Sequence, residues 1–323
     1  MPYLARRLLV AVLLILGVAT ATFLLIHAAP GDPTDLYTAS EMDPDARRAV
    51  IAAYGLDRPL AEQYGRWLAG VARGELGWSI AHRRPVASVI LERMPRTLLL
   101  TVAAFALQLA AGLGIGVLAA RRRGSWSDAA ASGGALVLYS IPSFWLGALL
   151  IMFFALHLGW LPSSGMRDLI AAPSTIWGAL IDRARHLVLP VLCLGLGSAA
   201  STARFVRSGL LASLAEGYVT AARARGARES SVVLRHALRN AILPVITLAG
   251  LSVPFLLSGS VMVENVFSWP GMGTLSVEAL FARDYPVALA CQLLLAVAVV
   301  AGNLAADVGL ALADPRLREW ARP

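Results

Sequence analysis

Long apolar runs recur along this chain, and they constrain its fold more than any other feature. Of its 323 residues, 58% are apolar and only 15% are charged, whereas a soluble domain has about 25% charged residues. Each run has about 20 residues, which is enough for a helix to cross a hydrocarbon core of about 30 Å. The sequence therefore predicts an all-α membrane protein that crosses the bilayer several times.

Six such runs are spread along the whole chain, which predicts six transmembrane helices in a single transmembrane domain over residues 1–323. The first run is longer than the apolar core of a signal peptide, about 7–15 residues, so we expect a retained helix. Pro142 interrupts the third run, which predicts one long helix that is kinked or broken there. The predicted spans are residues 8–29, 97–120, 129–158, 187–208, 240–263 and 286–312.

Residues 30–96, between the first two spans, are predicted to form a small external helical segment. Leu60, Tyr64, Trp67 and Val71 recur at helical spacing, which gives one helix an apolar face. Two interpretations of this segment stay open: a platform for an external binding protein, or a helix on the bilayer surface that has no partner.

The arginines predict the orientation of the chain. The short loops and tails that carry arginines all fall on one side of the predicted membrane, so the positive-inside rule places both termini in the cytoplasm.

The chain has no Lys, which excludes a P-loop ATPase because that site needs a Lys at the phosphates. No soluble basic domain is present that could bind nucleic acid.

No catalytic, cofactor-binding or metal-binding residue is predicted in this chain. Cys193 and Cys291 lie in apolar runs, which predicts two buried side chains rather than a disulfide or a metal site. Gln108 and Gln292 are polar but uncharged, and the spans contain almost no ionisable residues. This composition disfavours a secondary transporter or channel, which usually has ionisable residues along its path. Residues of the substrate path are not identified by the sequence.

The basic loop, residues 209–239, separates the fourth and fifth spans and contains five arginines. Gly226 predicts the end of a short helix, and Ser230 or Ser231 could begin the next one. One face of the short helix carries Leu214, Tyr218, Ala221, Ala222 and Arg225. Because the two alanines are small, they would let another backbone approach closely. The alternative is an amphipathic helix that lies on anionic lipid.

Two motifs in and after this loop, TAARARG at 220–226 and LRHALRNAILP at 234–244, resemble the cytoplasmic "EAA" loop of ABC importer permeases. The chain is most similar to the first-subunit type of the dipeptide/oligopeptide/nickel branch. Thr220 stands where the general loop has Glu, which is a departure. Further similar motifs, in order, are RRLL (6–9), LLIHAAPGDP (24–33), YGLDRPLAEQYGRWL (54–68), GELGWS (74–79), RPV (84–86), RRGSWSD (122–128), SIPSFWLG (140–147), LGWLPSSG (158–165), VENVFSWPGMG (263–273), RDYP (283–286) and ADPRLR (313–318).

The resemblance implies a type I ABC importer permease in the bacterial inner membrane. In that family the loop forms a coupling helix that docks on a cytoplasmic ATPase, and a homologous second permease, two ATPases and an external substrate-binding protein complete the complex. ATP and Mg²⁺ would bind to the ATPase subunits. By position, the coupling role falls on Thr220, Ala221, Ala222, Arg223, Arg225 and Gly226.

The substrate is open at this point. Peptides or similar small solutes are the main expectation from the resemblance, and glutathione or a nickel or other metal chelate is the alternative within the same family. An ATP-independent secondary transporter or channel, and a membrane scaffold without transport, are alternatives of a different class.

Overall fold

A computed structural model describes residues 2–28, 57–168, 175–242 and 260–313, together with Ile51, Gly55, Val245 and Ser252. The described part is all-helical, as predicted, and contains no strand; Trp78 and Pro85 form an isolated antiparallel bridge. The helices are α1 (Pro2–Ala28), α2 (Leu60–Ala72), α3 (Val86–Arg121), α4 (Trp126–Ser140), α5 (Ser143–Leu150), α6 (Ile176–Leu214), α7 (Gly217–Ala224), α8 (Glu229–Ser231), α9 (Leu238–Ala241), α10 (Met272–Phe281) and α11 (Tyr285–Ala313), with π-helical turns at Ile151–His157 and Val232–Ala237. Residues 260–266 are helical as well.

Within the described ranges, four helices are long and apolar enough to cross a membrane: Arg6–Ala28 in α1, all of α3, all of α6, and Tyr285–Ala305 in α11. The bent pair formed by α4 and the helix after Pro142 makes a fifth if it is counted as one span. The predicted span at 240–263 lies mostly outside the described residues. The count of six therefore stays a prediction.

Two helices extend well beyond the predicted spans. α3 begins at Val86 rather than at residue 97, and α6 covers Ile176–Leu214 rather than 187–208. At a rise of 1.5 Å per residue, the 39 residues of α6 measure about 58 Å, almost twice the hydrocarbon thickness. Hydropathy marks only the apolar middle of such a helix. The true start of α6 is marked by Thr175, whose hydroxyl accepts a hydrogen bond from the Gly178 amide at 3.0 Å.

The apolar run around Pro142 is broken, as predicted, and the bend is much larger than a kink. The helices on its two sides are inclined by 107°. Proline has no amide hydrogen to continue the hydrogen bonds of α4, and it also disfavours the helical conformation in the residue before it. Ile141 and Pro142 accordingly have extended ψ angles of 125° and 136°.

The described residues belong to two compact units. Unit 1 consists of residues 1–97 and 270–297, and unit 2 consists of residues 98–269 and 298–323. The prediction of a single domain, with segments 30–96 and 209–239 inside it, stays a prediction.

In unit 1, helix α2 packs through the apolar face that its sequence predicts. Tyr64 and Trp67 pack around Phe23 of α1, which is 2% exposed, with ring centroids 5.2 and 5.7 Å from its own. The Tyr64 hydroxyl also shares a 2.6 Å hydrogen bond with Thr20. This aromatic cluster holds α2 on α1.

A buried carboxylate connects distant parts of unit 1. Asp284, directly before α11, accepts hydrogen bonds from the Ser79 hydroxyl at 2.5 Å and from the Ala81 amide at 3.0 Å. The Asp284 side chain is almost completely buried. Because a buried carboxylate needs such partners, this contact fixes the turn before α3 to the start of α11.

In unit 2, α3 and α6 pack closely along a row of small residues. A Cβ atom added at Gly112 would lie 2.6 Å from the Cβ of Thr202, and one added at Gly116 would lie 2.6 Å from the Cβ of Val206. No side chain fits at either position without a shift of the helices, because Cβ atoms do not approach so closely. Glycine at 112 and 116 therefore sets the short distance between α3 and α6.

A turn at residues 267–268 follows the helical residues 260–266. Ser268 has a φ angle of 48°, and the adjacent Phe267 and Trp269 are buried against Leu100 and Leu189. Helix α10, which begins at Met272, was not predicted. Its 10 residues are too few to produce a hydropathy signal for a span.

The prediction for the two cysteines is confirmed: Cys193 and Cys291 are both buried and both free.

Candidate functional site

The basic loop contains a short helix with a well-formed end. In α7, the Gly226 amide donates to the Arg223 carbonyl at 2.9 Å, and the Ala227 amide donates to the Ala222 carbonyl at 3.2 Å. This pair of hydrogen bonds is the Schellman motif, which closes a helix with a residue in the left-handed region. Gly226 has a φ angle of 80°, so the predicted helix end is confirmed.

The next helical segment starts at Glu229, before the two serines that were predicted to begin it. Arg228 occupies the N-cap position of α8 and makes no side-chain cap hydrogen bond, and Ser230 and Ser231 lie inside the first turn. The Ser231 amide donates instead to the Arg228 carbonyl at 2.9 Å. Helical structure then continues through Val232–Ala237 and α9 to Ala241 without interruption.

The inner face of α7 is buried inside this chain. Val219 and Ala222, three residues apart and hence on one face, are 0% and 3% exposed. Val219 belongs to a cluster whose other buried residues are Ala120, Leu210, Val232, Val233, Ala237 and Ala241. They come from the end of α3, the end of α6 and the segment after α7. The loop is therefore a small packed structure attached to the ends of two long helices.

The predicted helix face is corrected by this packing. The sequence placed Ala221 and Ala222 on one face that would meet a partner, but only Ala221 is exposed, together with Tyr218 and Arg225. A helix turns by about 100° per residue, so two adjacent residues can lie on opposite sides of a burial boundary. The neighbours in the fold, which the sequence does not show, decide which alanine is inside.

Of the six residues assigned to coupling, the structure exposes five and buries one. Ala222 packs inside the chain, so its side chain is not available to a partner. The exposed residues are Thr220, Ala221, Arg223, Arg225 and Gly226. Their role in coupling to an ATPase stays a prediction.

An ion pair spans the turn after α7. The Arg223 guanidinium donates to both carboxylate oxygens of Glu229, at 3.2 and 2.8 Å. These hydrogen bonds, and the positive charges of Arg223 and Arg121, lower the pKa of Glu229 below its ordinary value. The pair joins the end of α7 to the start of α8. Arg225 makes no such pair within the described part of the chain and donates to the Ala221 carbonyl at 3.2 Å.

A second ion pair, which the sequence analysis missed, holds the turn between α3 and α4. Arg207 of α6 donates to both carboxylate oxygens of Asp128, at 2.6 and 2.8 Å. Asp128 also accepts from the Gly124 amide at 3.0 Å. The partners are 79 residues apart, and no local sequence signal indicates such a pairing.

Comparison with known proteins identifies the family. The family described as "Binding-protein-dependent transport system inner membrane component" matches residues 112–319, and its N-terminal counterpart matches residues 1–101. The chain is 40% identical over 316 residues to the oligopeptide transport system permease protein AppB of Bacillus subtilis, with 98% of both chains covered. It is also 40% identical over 316 residues to the glutathione transport system permease protein GsiC of Salmonella paratyphi A, again with 98% of both chains covered.

A solved structure supports the fold. The methionine ABC transporter MetNI, in an inward-facing conformation, contains a chain that matches with a TM-score of 0.57 and 22% identity. The match covers 71% of this chain and 97% of the MetNI chain. The fold is therefore that of a type I ABC importer permease, as predicted. The chain belongs to the family of inner membrane permease components of binding-protein-dependent ABC transport systems.

Proposed function

We propose that this chain couples ATP hydrolysis on cytoplasmic subunits to transport through its exposed basic loop. One observation carries the proposal: α7 is buried on one face against the ends of α3 and α6 and exposed on the other. A partner that binds the exposed face and moves α7 would also move the two long helices, because all three share one buried cluster. That is the mechanical requirement for coupling.

The proposed complex contains four kinds of subunit. This chain and a homologous second permease form the translocation pathway, two cytoplasmic ABC ATPases drive it, and an external protein delivers the substrate. ATP and Mg²⁺ bind to the ATPases, so this chain is a transport subunit and not an enzyme. Its lack of Lys, and hence of a P-loop, supports this division.

The proposed orientation has both termini and the basic loop in the cytoplasm. The arginine-rich turn at Arg121–Arg123 and the arginines of the basic loop support it by the positive-inside rule. A loop that must reach cytoplasmic ATPases has to lie on that side of the membrane.

The proposed substrates are peptides or similar small solutes. The relatives AppB and GsiC are named for oligopeptides and glutathione, and both types of molecule contain amide groups. Glutathione or a metal chelate is the alternative substrate within the same function.

The first experiment is purification of this chain from its native membrane in a mild detergent, followed by mass spectrometry of the co-purifying proteins. A second permease and one or two Walker-motif ATPases are the expected partners. The purified complex in proteoliposomes, supplied with its binding protein, should then take up a labelled tripeptide only when ATP is present. Uptake without ATP, or the chain alone in a preparation that keeps a known transporter intact, would overturn the proposal in favour of a channel or scaffold.

A further inference from the structure

A cavity of about 470 Å³ lies in unit 2, where the break at Pro142 faces α3 and α6. Sites for small molecules in proteins measure about 300–1,000 Å³. The walls combine apolar side chains with a set of hydroxyl groups. Gln108, from the middle of α3, lies in the same wall.

The cavity is uncharged. None of its described lining residues is Asp, Glu, His or Arg. Residues 243–259, which include lining residue Ser252 and are otherwise outside the described part, contain no charged residue either. Because a charge enclosed without a partner is costly, this uncharged lining favours a neutral group of a ligand.

Three lining hydroxyls are available to a ligand. Ser143, Ser198 and Ser201 are half-buried. Their hydroxyl groups make no hydrogen bond within the described part of the chain. A serine hydroxyl both donates and accepts, so this wall can bind a group that has an acceptor and a donor close together.

Gln108 makes its hydrogen bonds to described residues through its amide nitrogen. Its amide nitrogen donates to the hydroxyls of Thr202 at 3.2 Å and Ser252 at 2.9 Å. The Thr202 hydroxyl donates its own hydrogen to the Ser198 carbonyl at 3.1 Å, so it accepts from Gln108, which fixes the orientation of the amide. The Gln108 Oε1 atom is buried, and no described residue donates a hydrogen bond to it. Such atoms are rare in folded proteins.

We propose that this cavity is a segment of the substrate pathway and that it holds the neutral backbone amides of a short peptide. The inference rests on the proposed function. A peptide amide supplies an N–H donor and a C=O acceptor, which match the three serine hydroxyls, and the apolar walls accept small side chains. The amide is common to all peptides, so the site accepts different sequences. Without a charged residue, binding is weak enough for release, which a conducting path requires.

Cross-linking in the unmodified complex is the first test. The probe is a labelled tripeptide, alanine–photoleucine–alanine, which is supplied with the binding protein and ATP to proteoliposomes and illuminated during uptake. Adducts are expected within residues 138–146 and 193–205 of this chain, or at Gln108 or Ser252. Uptake with adducts only at other residues would overturn the cavity assignment and leave the proposed function intact. No ATP-dependent uptake of the tripeptide by the unmodified complex would overturn this inference. No ATP-dependent uptake of glutathione or of a metal chelate either would overturn the proposed function with it.

A matched pair of variants is the second test. Ser201→Trp fills the cavity, whereas Ser208→Trp places the same side chain two helical turns along the same face of α6, outside the lining. Ser201→Trp is expected to lower tripeptide uptake about tenfold or more while ATP hydrolysis by the complex continues, which shows that the complex is assembled. Equal uptake by the two variants would contradict the proposal. If Ser201→Trp does not assemble, the cross-linking result decides.

Discussion

Asp128 and Arg207 form a two-point ion pair that joins the first turn of α4 to α6. The two hydrogen bonds measure 2.6 and 2.8 Å, and the Asp128 side chain is 7% exposed, whereas that of Arg207 is 30% exposed. The pair lies one helical turn before Leu210, a member of the cluster that buries the inner face of α7. It therefore fixes the turn at residues 122–125 beside the helix end that carries the basic loop.

Arg207→Met should destabilise the protein because it leaves the Asp128 carboxylate buried without its cation. Arg204→Met is the matched control: Arg204 is exposed on the same helix and lies over the Tyr139 ring, 5.2 Å from its centroid, with no carboxylate partner in the described part. In thermal unfolding of the detergent-solubilised protein, Arg207→Met should lower the Tm by several degrees and Arg204→Met by much less. The Asp128→Ala, Arg207→Met double variant should lose less than the sum of the two single losses. Additive losses would show that the ion pair contributes nothing.

Gly112→Ala should be destabilising because its new Cβ would lie 2.6 Å from the Cβ of Thr202. The expected cost is about 1–3 kcal/mol, the usual range for inserting a methyl group into a packed interior. Gly114→Ala is the control on the same helix, since no atom lies within 4 Å of its added Cβ. That change should be neutral or stabilising by about 0.5–1 kcal/mol, because it removes a glycine from a helix interior. Thermal unfolding of both variants measures the difference, and equal Tm values would contradict the close packing of α3 and α6.

The elements of this fold that could be predicted are those marked by a few neighbouring residues in the sequence. Apolar runs, the proline at 142 and Gly226 act on their own few residues, and each predicted its element. The start of α3 and both ends of α6 were not predicted, because these helices continue beyond their apolar middle into residues that carry no hydropathy signal for a span.

In the candidate site, too, features with a local sequence signal could be predicted and the others could not. The arginines and the similarity to a family motif predict the position of the basic loop. One glycine, Gly226, predicts the C-terminal end of α7. Val219, on the same helix as the two alanines, packs in a cluster with Leu210, Val232 and Val233, which are distant in sequence or on another helix. The buried side of α7, and hence which alanine is buried, is therefore not marked by a local pattern. The cavity and the Asp128–Arg207 pair arise only when α3, α4 and α6 are brought together, so no local pattern indicates them.

Gly226→Ala should loosen the end of α7. The residue has a φ angle of 80° and no atom within 4 Å of an added Cβ, so the cost comes from the backbone conformation and not from a clash. A left-handed residue other than glycine costs roughly 1–2 kcal/mol, which should speed hydrogen exchange of the loop amides about 5–30-fold. Gly217→Ala, at the other end of α7, has equal space and no positive φ angle, and should leave exchange unchanged. Hydrogen exchange that rises equally in both variants would refute the role of the left-handed conformation of Gly226 at the end of α7.

Ala221→Trp and Ala222→Trp should impair the protein in different ways, because the Ala221 side chain is exposed whereas Ala222 is only 3% exposed. Trp at 222 overpacks the buried cluster, so hydrogen exchange across residues 217–241 should rise sharply. Trp at 221 should leave exchange unchanged but reduce co-purification of the ATPase subunits, because it enlarges the proposed contact face. Normal ATPase binding and normal ATP-driven uptake by Ala221→Trp would remove this face from the coupling surface.

Acid should weaken the loop through the Arg223–Glu229 pair. Because Arg223 lowers the pKa of Glu229, the carboxylate binds a proton more readily in the unfolded loop than in the folded one. The stabilisation is thus complete above the ordinary pKa of Glu, about 4.3, and is lost as the pH falls through the lowered pKa of the folded loop. Hydrogen exchange of residues 217–241, corrected for intrinsic rates, should be constant from about pH 8 to 6 and faster below about pH 4. Glu229→Gln should show a smaller acid response, and an equal response would assign it to another carboxylate.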